Sequence, residues 1–97
     1  MANLNEKYLV RCDRSGVFYG TLVELEGEKA KIKNARKIYF WDGAVCLEQL
    51  AMEGTKSPDR CKFTMLVDEI EVFDVIQLLP CTSDAIASIE AVREWKK

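Results

Sequence analysis

The side chains best suited to chemistry lie in one stretch, residues 29–41, where basic and aromatic residues follow each other closely. Lysine and arginine hold phosphate groups, and aromatic faces stack on nucleobases at about 1–3 kcal/mol per base. The stretch contains Lys29, Lys31, Lys33, Arg36, Lys37, Tyr39 and Trp41. From the residues alone, the favoured interpretation is that the lysines form a solvated face above an aromatic core. The alternative interpretation is a site for a small nucleotide-like anion.

Each candidate ligand-binding residue has an expected role. Phosphate contacts are expected from Arg11, Arg14, Lys33 and Arg36, base stacking from Tyr39 and Trp41, and a hydrogen bond to a base or ribose from Asn34. Arg11 and Arg14 join this surface if the first strand pairs beside the segment. The hypothesis requires these side chains to border one open pocket.

No group of residues resembles a catalytic centre, so the protein is predicted not to be an enzyme. The chain contains no histidine, which removes the usual general base for a serine or cysteine nucleophile. The glycines form neither a GxGxxG motif nor a P-loop, so nucleotide hydrolysis is not expected. A phosphodiesterase is disfavoured because histidine is missing.

One cluster of carboxylates follows the middle of the chain, at Asp68, Glu69, Glu71 and Asp74. Alternation along a strand divides the cluster between two faces, and its spacing matches no calcium loop. We interpret it as a solvated edge that blocks unwanted sheet pairing. The alternative is an acidic face that binds a basic partner protein and inhibits it.

The cysteines do not suggest a metal site. Cys12, Cys46, Cys61 and Cys81 are far apart in the sequence, and zinc sites need closely spaced cysteine or histidine ligands. We expect neither a metal nor a cofactor. The cysteines are interpreted as reduced, small apolar residues, as in the cytoplasm.

Length and composition predict a single folded domain spanning residues 1–97, with 48% apolar and 31% charged residues. The net charge is −2, but residues 1–41 carry +3 and residues 42–97 carry −5. Such asymmetry favours pairing between copies in a homo-oligomer, or a local anion site. Extended nucleic acid is not expected as a partner, since it needs a wider basic surface. The chain shows neither a membrane-span pattern nor a signal-peptide pattern, so a cytoplasmic location is expected.

Periodicity predicts strands first. Strands are expected at 8–12, 17–26, 29–33 and 36–41, with a bend at Gly20 and a hairpin turn at 26–28. A helix is expected over 44–53, with Asp42 as its N-cap and Gly54 as its stop.

The second half predicts two more strands and a helix. Strands are expected at 62–69, with Phe63, Met65 and Val67 inward, and at 70–79, with a turn at Asp68–Glu69. Pro80 ends the second strand, and a helix runs from Thr82 to Val92 before Trp95 packs back. The order predicts an α+β fold, with a small, strongly bent antiparallel sheet or half-open barrel and two short helices.

The stretch 33–54, KNARKIYFWDGAVCLEQLAMEG, resembles a motif of an uncharacterised family of small phage and prophage proteins. Cys61–Phe63, Val67–Ile70, Pro80–Thr82 and Trp95 continue the resemblance. Short phage proteins of this kind are often accessory factors, and several unrelated ones are anti-defence sponges that sequester cyclic nucleotide signals in homo-oligomers. The resemblance therefore implies a phage accessory protein that sequesters a cyclic oligonucleotide immune signal in the cytoplasm of the infected host.

Overall fold

The computed structural model describes residues 2–97 and builds them into a sheet of seven strands with two short α-helices. The strands are β1 (Glu6–Cys12), β2 (Val17–Glu26), β3 (Lys29–Phe40), β4 (Lys62–Thr64), β5 (Val67–Val72), β6 (Val75–Pro80) and β7 (Glu94–Trp95). The helices are α1 (Leu47–Glu53) and α2 (Ser83–Glu90), and a 3-10 turn occupies Pro58–Arg60. Within residues 2–97, no helix has the length and apolar character needed to cross a bilayer.

The sheet is open, with the strand order β6-β1-β2-β3-β4-β7. Strand β5 pairs with β3 over Ala30–Ala35, along the same edge where β4 pairs with Ile38 and Phe40. All pairs are antiparallel except β4 with β7. The predicted α+β class is confirmed, but the strands do not close into a barrel.

The core has two parts because β1 is buried on both faces. Leu9 packs with both helices, whereas Tyr8 and Val10 pack in a second cluster made of strand residues. The second cluster is therefore built from residues of the strands, whereas the first also includes residues of both helices. The register of β2 against β3 shifts between Tyr19 and Thr21, at Gly20. A side chain there would collide with Ile32, so glycine permits the close approach.

Two predicted boundaries in the first half were wrong. Segments 29–33 and 36–41 form one strand, because Asn34 adopts a φ of 49° and the chain continues past it. The first helix begins at Leu47, and its N-cap is Cys46 rather than Asp42. The Asp42 carboxylate instead accepts from the Gly43 N–H at 2.8 Å, in a turn that leaves Val45 exposed. Gly54 ends the helix as predicted.

The predicted turn at Asp68–Glu69 was also wrong, since β5 continues to Val72 and the chain turns at Phe73–Asp74. Strand pairing breaks earlier, at Met65–Leu66, so Met65 and Val67 are exposed while Phe63 is buried. Pro80 ends β6, and the Thr82 hydroxyl accepts from the Ala85 N–H at 3.1 Å, which caps the predicted second helix.

Asp74 connects the turn at Phe73–Asp74 to the turn between β1 and β2. Its carboxylate accepts from the Ser15 hydroxyl at 2.7 Å and from the Arg14 and Ser15 N–H groups at 2.6 and 2.9 Å. Of these contacts, the Ser15 hydroxyl contributes most to lowering the pKa of Asp74 from 3.8 to about 2. The carboxylate is therefore a structural group rather than part of an open acidic face.

Replacing Asp74 by asparagine is expected to reduce the loss of thermal stability that the protein undergoes as the pH falls from 6 to 2. Because the folded pKa lies below the unfolded pKa, the charged carboxylate stabilises the protein above about pH 4, and this contribution is lost as the pH falls towards 2. Thermal unfolding midpoints between pH 2 and pH 6 measure the effect. The natural chain should lose more of its midpoint than Asp74→Asn over this range, and equal losses would contradict the role given to Asp74.

Candidate functional site

Arg36, the centre of the predicted site, lies inside the protein with 4% of its surface exposed. Its guanidinium donates from Nε to the Thr64 carbonyl at 2.9 Å, from Nη2 to the Phe63 carbonyl at 3.1 Å and from Nη1 to the Ile89 carbonyl at 3.2 Å. Burial lowers its pKa. Arg36 thus ties β3 to β4 and to the end of α2, and it satisfies the carbonyls where β4 breaks off.

The two predicted stacking rings lie in different environments. Trp41 is half-buried against the core beneath the helices. Tyr39 is 60% exposed and stacks on Trp95, with 4.9 Å between ring centroids and 23° between planes. Tyr39 is therefore open to a ligand, together with a ring that the sequence did not place in the site.

In the row of lysines on β3, Lys29 and Lys33 are exposed and Lys31 is half-buried, and carboxylates neutralise much of the row. Lys29 pairs with Glu71 at 3.7 Å, and Lys31 pairs with Glu24 at 3.7 Å and Glu69 at 4.0 Å. Lys33 is exposed and lies opposite Glu69 in the register of β3 and β5. These ion pairs also involve the carboxylates of β5. Neither the lysines of β3 nor the carboxylates of β5 therefore form a large surface patch of one charge sign.

The two predicted arginines of the first strand lie elsewhere on the surface. Arg11 is an exposed residue of β1, opposite Val17 and Gln77. Arg14 is exposed in the following turn and lines a shallow depression with Phe73. Of the seven predicted binding residues, a shared cavity brings together Asn34 and Arg36.

This first cavity, here called the Arg36 cavity, has a volume of about 390 Å³. Its charged and polar lining consists of Lys7, Thr21, Asn34, Arg36, Glu90 and Glu94. Two cations face two carboxylates, so the formal charges of the lining cancel. The Tyr19 hydroxyl donates to Glu90 at 2.6 Å, and Lys7 binds the same carboxylate. Burial, followed by the hydrogen bond to Glu90, raises the pKa of Tyr19 and keeps the phenol protonated.

A second concavity, here called the Trp95 groove, has a volume of about 380 Å³ and a different charge. Its charged lining consists of Arg60, Lys62, Arg93, Lys96, Asp59 and Glu94. Lys62 Nζ lies 5.4 Å from the centroid of the Trp95 ring, within cation–π range. Arg60 pairs with Asp42 and Lys96 with Glu94, while Lys62 and Arg93 have no ion pair among residues 2–97. The groove therefore has a net positive lining around an aromatic surface.

The sequence did not indicate that the residues of the Trp95 groove lie close together. Cations at 60–62 and at 93–96 meet because β7 pairs in parallel with β4, with Phe63 opposite Glu94 and Thr64 opposite Trp95. A two-residue strand gives no periodicity to detect. The available signal was a tryptophan between basic residues, since Trp95 follows Arg93 and precedes Lys96 and Lys97.

The cysteines do not add a reactive site. Burial raises the pKa of the Cys12 and Cys81 thiols to about 11, so both stay protonated at neutral pH. Cys61 is buried, and its Sγ contacts the carbonyl of Asp42 at 3.5 Å. In the part of the chain that the structure covers, no three histidine, cysteine, aspartate or glutamate side chains gather as metal ligands would.

Comparison with known proteins gives a family and no function. A family model described as "Domain of unknown function (DUF6948)" matches residues 5–89, which include α1, all of α2 but its last residue, and all strands except β7. Arg93, Trp95 and Lys96 of the Trp95 groove follow the matched range. No curated protein and no solved structure matches the chain. The chain belongs to the family of the domain of unknown function DUF6948.

Proposed function

We propose that the protein is a non-catalytic binding protein that captures a small nucleotide-like anion in the Trp95 groove. The observation that carries this proposal is the exposed stack of Tyr39 on Trp95 at the edge of a basic groove. Tyr39 is 60% and Trp95 46% exposed, so ring surface outside the stack is accessible to a base. Aromatic surfaces of this kind bind bases with little preference among them, because every base has a π-face.

The charges of the groove supply the second half of nucleotide recognition. Lys62 and Arg93 are the best phosphate ligands, since they have no ion pair among the described residues. Arg60 and Lys96 have exposed carboxylate partners, and such surface pairs are weak enough to exchange for a phosphate. Glu94 and Asp59 limit the excess positive charge, so the groove favours a ligand with few phosphates over a highly charged one.

The size of the groove favours a small ligand over a polymer. Its volume of about 380 Å³ lies near the lower end of the range of about 300–1,000 Å³ found for small-molecule sites. The surface beyond it includes the paired rows of β3 and β5, which have no continuous positive field. A cyclic oligonucleotide would fill the groove with one base and one phosphate, and a second copy of the protein would cover the rest. Homo-oligomerisation is therefore part of the proposal.

The biological setting comes from the resemblance to small phage and prophage proteins. On that basis the bound ligand is a cyclic oligonucleotide immune signal, and capturing it inhibits host defence in the cytoplasm of the infected cell. An inhibitor that binds a host protein through its acidic face is the weaker alternative. Glu69 and Glu71 are paired with Lys31 and Lys29, and Asp74 is held in a turn.

Isothermal titration calorimetry with a ligand panel tests the proposed function. The panel contains cyclic di-AMP, cyclic di-GMP, cyclic GMP–AMP, cyclic triadenylate and AMP, with adenosine and inorganic phosphate as matched partial ligands. At least one cyclic nucleotide is expected to bind at least tenfold more tightly than adenosine or phosphate, because base and phosphate contacts then act together. Absence of heat with every nucleotide would overturn the proposal. A single-stranded oligonucleotide is titrated in the same way, and its tighter binding would overturn the small-ligand class.

A further inference from the structure

The Arg36 cavity is lined by a buried cation that makes no direct ion pair with residues 2–97. Arg36 has 4% of its surface exposed, and all three of its hydrogen bonds go to neutral backbone carbonyls. No carboxylate of residues 2–97 lies within ion-pair distance of it. A guanidinium has five N–H donors, and three of them are used in these bonds. Burying a charge among neutral hydrogen-bond partners is costly, and a ligand carboxylate in the cavity would supply a direct partner of opposite charge.

Glu90 provides an acceptor in the same cavity. One carboxylate oxygen, Oε2, accepts from Lys7 and from the Tyr19 hydroxyl. The other oxygen, Oε1, accepts no hydrogen bond from any residue in the described chain. Glu94 adds a second carboxylate to the lining. The two carboxylates balance the two cations of the lining, so the cavity has no net positive charge for a phosphate, and Glu90 Oε1 is open to an ammonium group. The chemistry of this cavity therefore differs from that of the Trp95 groove.

The remaining lining fits a small organic ligand. The Thr21 hydroxyl and the Asn34 side-chain amide line the cavity and have no hydrogen-bond partner among residues 2–97. Asn34 adopts a φ of 49° at the irregular point of β3, where its neighbours do not pair regularly with β2. Leu66 and Val92 supply an apolar wall. The volume of about 390 Å³ lies within the range of small-molecule sites.

We propose that the Arg36 cavity is a second binding site, specific for a free amino acid with an aliphatic side chain. The carboxylate of the ligand contacts the unused N–H groups of Arg36, and its ammonium group contacts Glu90 Oε1. Thr21 and Asn34 complete the polar contacts, while the side chain packs against Leu66 and Val92. This site does not depend on nucleotide binding in the Trp95 groove, with which it shares Glu94 in its lining.

Titration of the ¹⁵N-labelled full chain with L-leucine, L-valine, L-isoleucine and L-methionine tests this site. At least one of the four is expected to shift the Arg36 Nε–H and Asn34 side-chain signals in a saturable way. N-acetyl-L-leucine lacks the ammonium group and L-leucinamide lacks the carboxylate, so each is expected to bind at least tenfold more weakly than L-leucine. Equal binding of either analogue, or no shift with any of the four amino acids, would overturn the proposal.

Two variants separate ligand contact from general structure. Glu90→Gln removes the charge that faces the ammonium group, and Thr21→Val removes one hydroxyl at nearly constant volume. Glu90→Gln is expected to weaken amino-acid binding at least tenfold and Thr21→Val severalfold, while Lys62→Ala in the Trp95 groove leaves it unchanged. Thr21→Val remains informative if Glu90→Gln does not fold. Unchanged affinity in the folded Glu90 and Thr21 variants, or loss of affinity in Lys62→Ala, would contradict the assignment.

Discussion

Replacing Arg36 by methionine is expected to lower the free energy of unfolding by about 3 kcal/mol. Methionine retains much of the packing volume but leaves the Phe63 and Ile89 carbonyls without their buried donor. An unsatisfied buried polar group costs about 1–3 kcal/mol, and relief from burying the charge offsets part of that cost. For a domain of this size, the expected loss corresponds to a fall of about 12–24 °C in the unfolding midpoint.

Lys33→Met is the matched control for this measurement. It replaces another basic side chain by methionine on the same strand, at an exposed residue that forms no ion pair with residues 2–97. Its free energy of unfolding is expected to change by less than about 0.5 kcal/mol. Chemical denaturation of both variants gives the comparison. Equal stability of Arg36→Met and Lys33→Met would show that the guanidinium does not hold β4 and α2 in place.

Replacing Trp95 by alanine is expected to weaken nucleotide binding by about 5- to 150-fold without unfolding the protein. The range follows from about 1–3 kcal/mol of stacking energy per base, at about 1.4 kcal/mol for each factor of ten. Trp95 is 46% exposed and lies in the short terminal strand β7, so its removal leaves both core clusters intact. Calorimetric titration with the tightest-binding cyclic nucleotide measures the loss.

Phe73→Ala is the matched control for Trp95→Ala. Phe73 is 65% exposed, and Lys29 Nζ lies 5.7 Å from its ring centroid, so it also pairs an exposed ring with a lysine. It lies outside the lining of the Trp95 groove. Its removal is expected to leave nucleotide affinity unchanged. Equal losses in the two variants would mean that exposed aromatic surface, rather than the groove, accounts for binding.

Local patterns predicted the elements that depend on neighbouring residues. The hairpin of β2 and β3 followed from alternation around Gly27, and α2 followed from Thr82 before an apolar stripe. The errors in the second half of the chain arose where contacts between residues distant in the sequence decide the backbone. Arg36 binds the carbonyls at the end of β4, and Asp74 binds the turn around Ser15. Such contacts leave no periodic signal in the sequence, so Arg36 was predicted to border an open pocket and Asp74 to lie on a solvated edge.

The sequence suggested binding chemistry for one site, but the structure separates most of the residues that carried the suggestion. The basic and aromatic residues of β3 suggested one pocket. In the structure, these side chains point to different faces of the strand and differ in burial, so they do not share a pocket. Arg36 points into the protein, Trp41 contacts the core, and Tyr39 alone stacks on a partner ring in the open. The most basic concavity instead depends on the pairing of β4 with β7. Residues about thirty positions apart meet there, which single-sequence patterns cannot show.

The indole N–H signals of the two tryptophans offer the most direct measurement of ligand capture. In a ¹H–¹⁵N spectrum recorded during titration with cyclic di- and trinucleotides, the Trp95 signal should move in a saturable way. The Trp41 signal should stay in place, because that ring packs against the core. Assignment requires one further spectrum of Trp95→Ala. A stationary Trp95 signal at saturating concentrations of every nucleotide, or movement of the Trp41 signal alone, would contradict capture in the Trp95 groove.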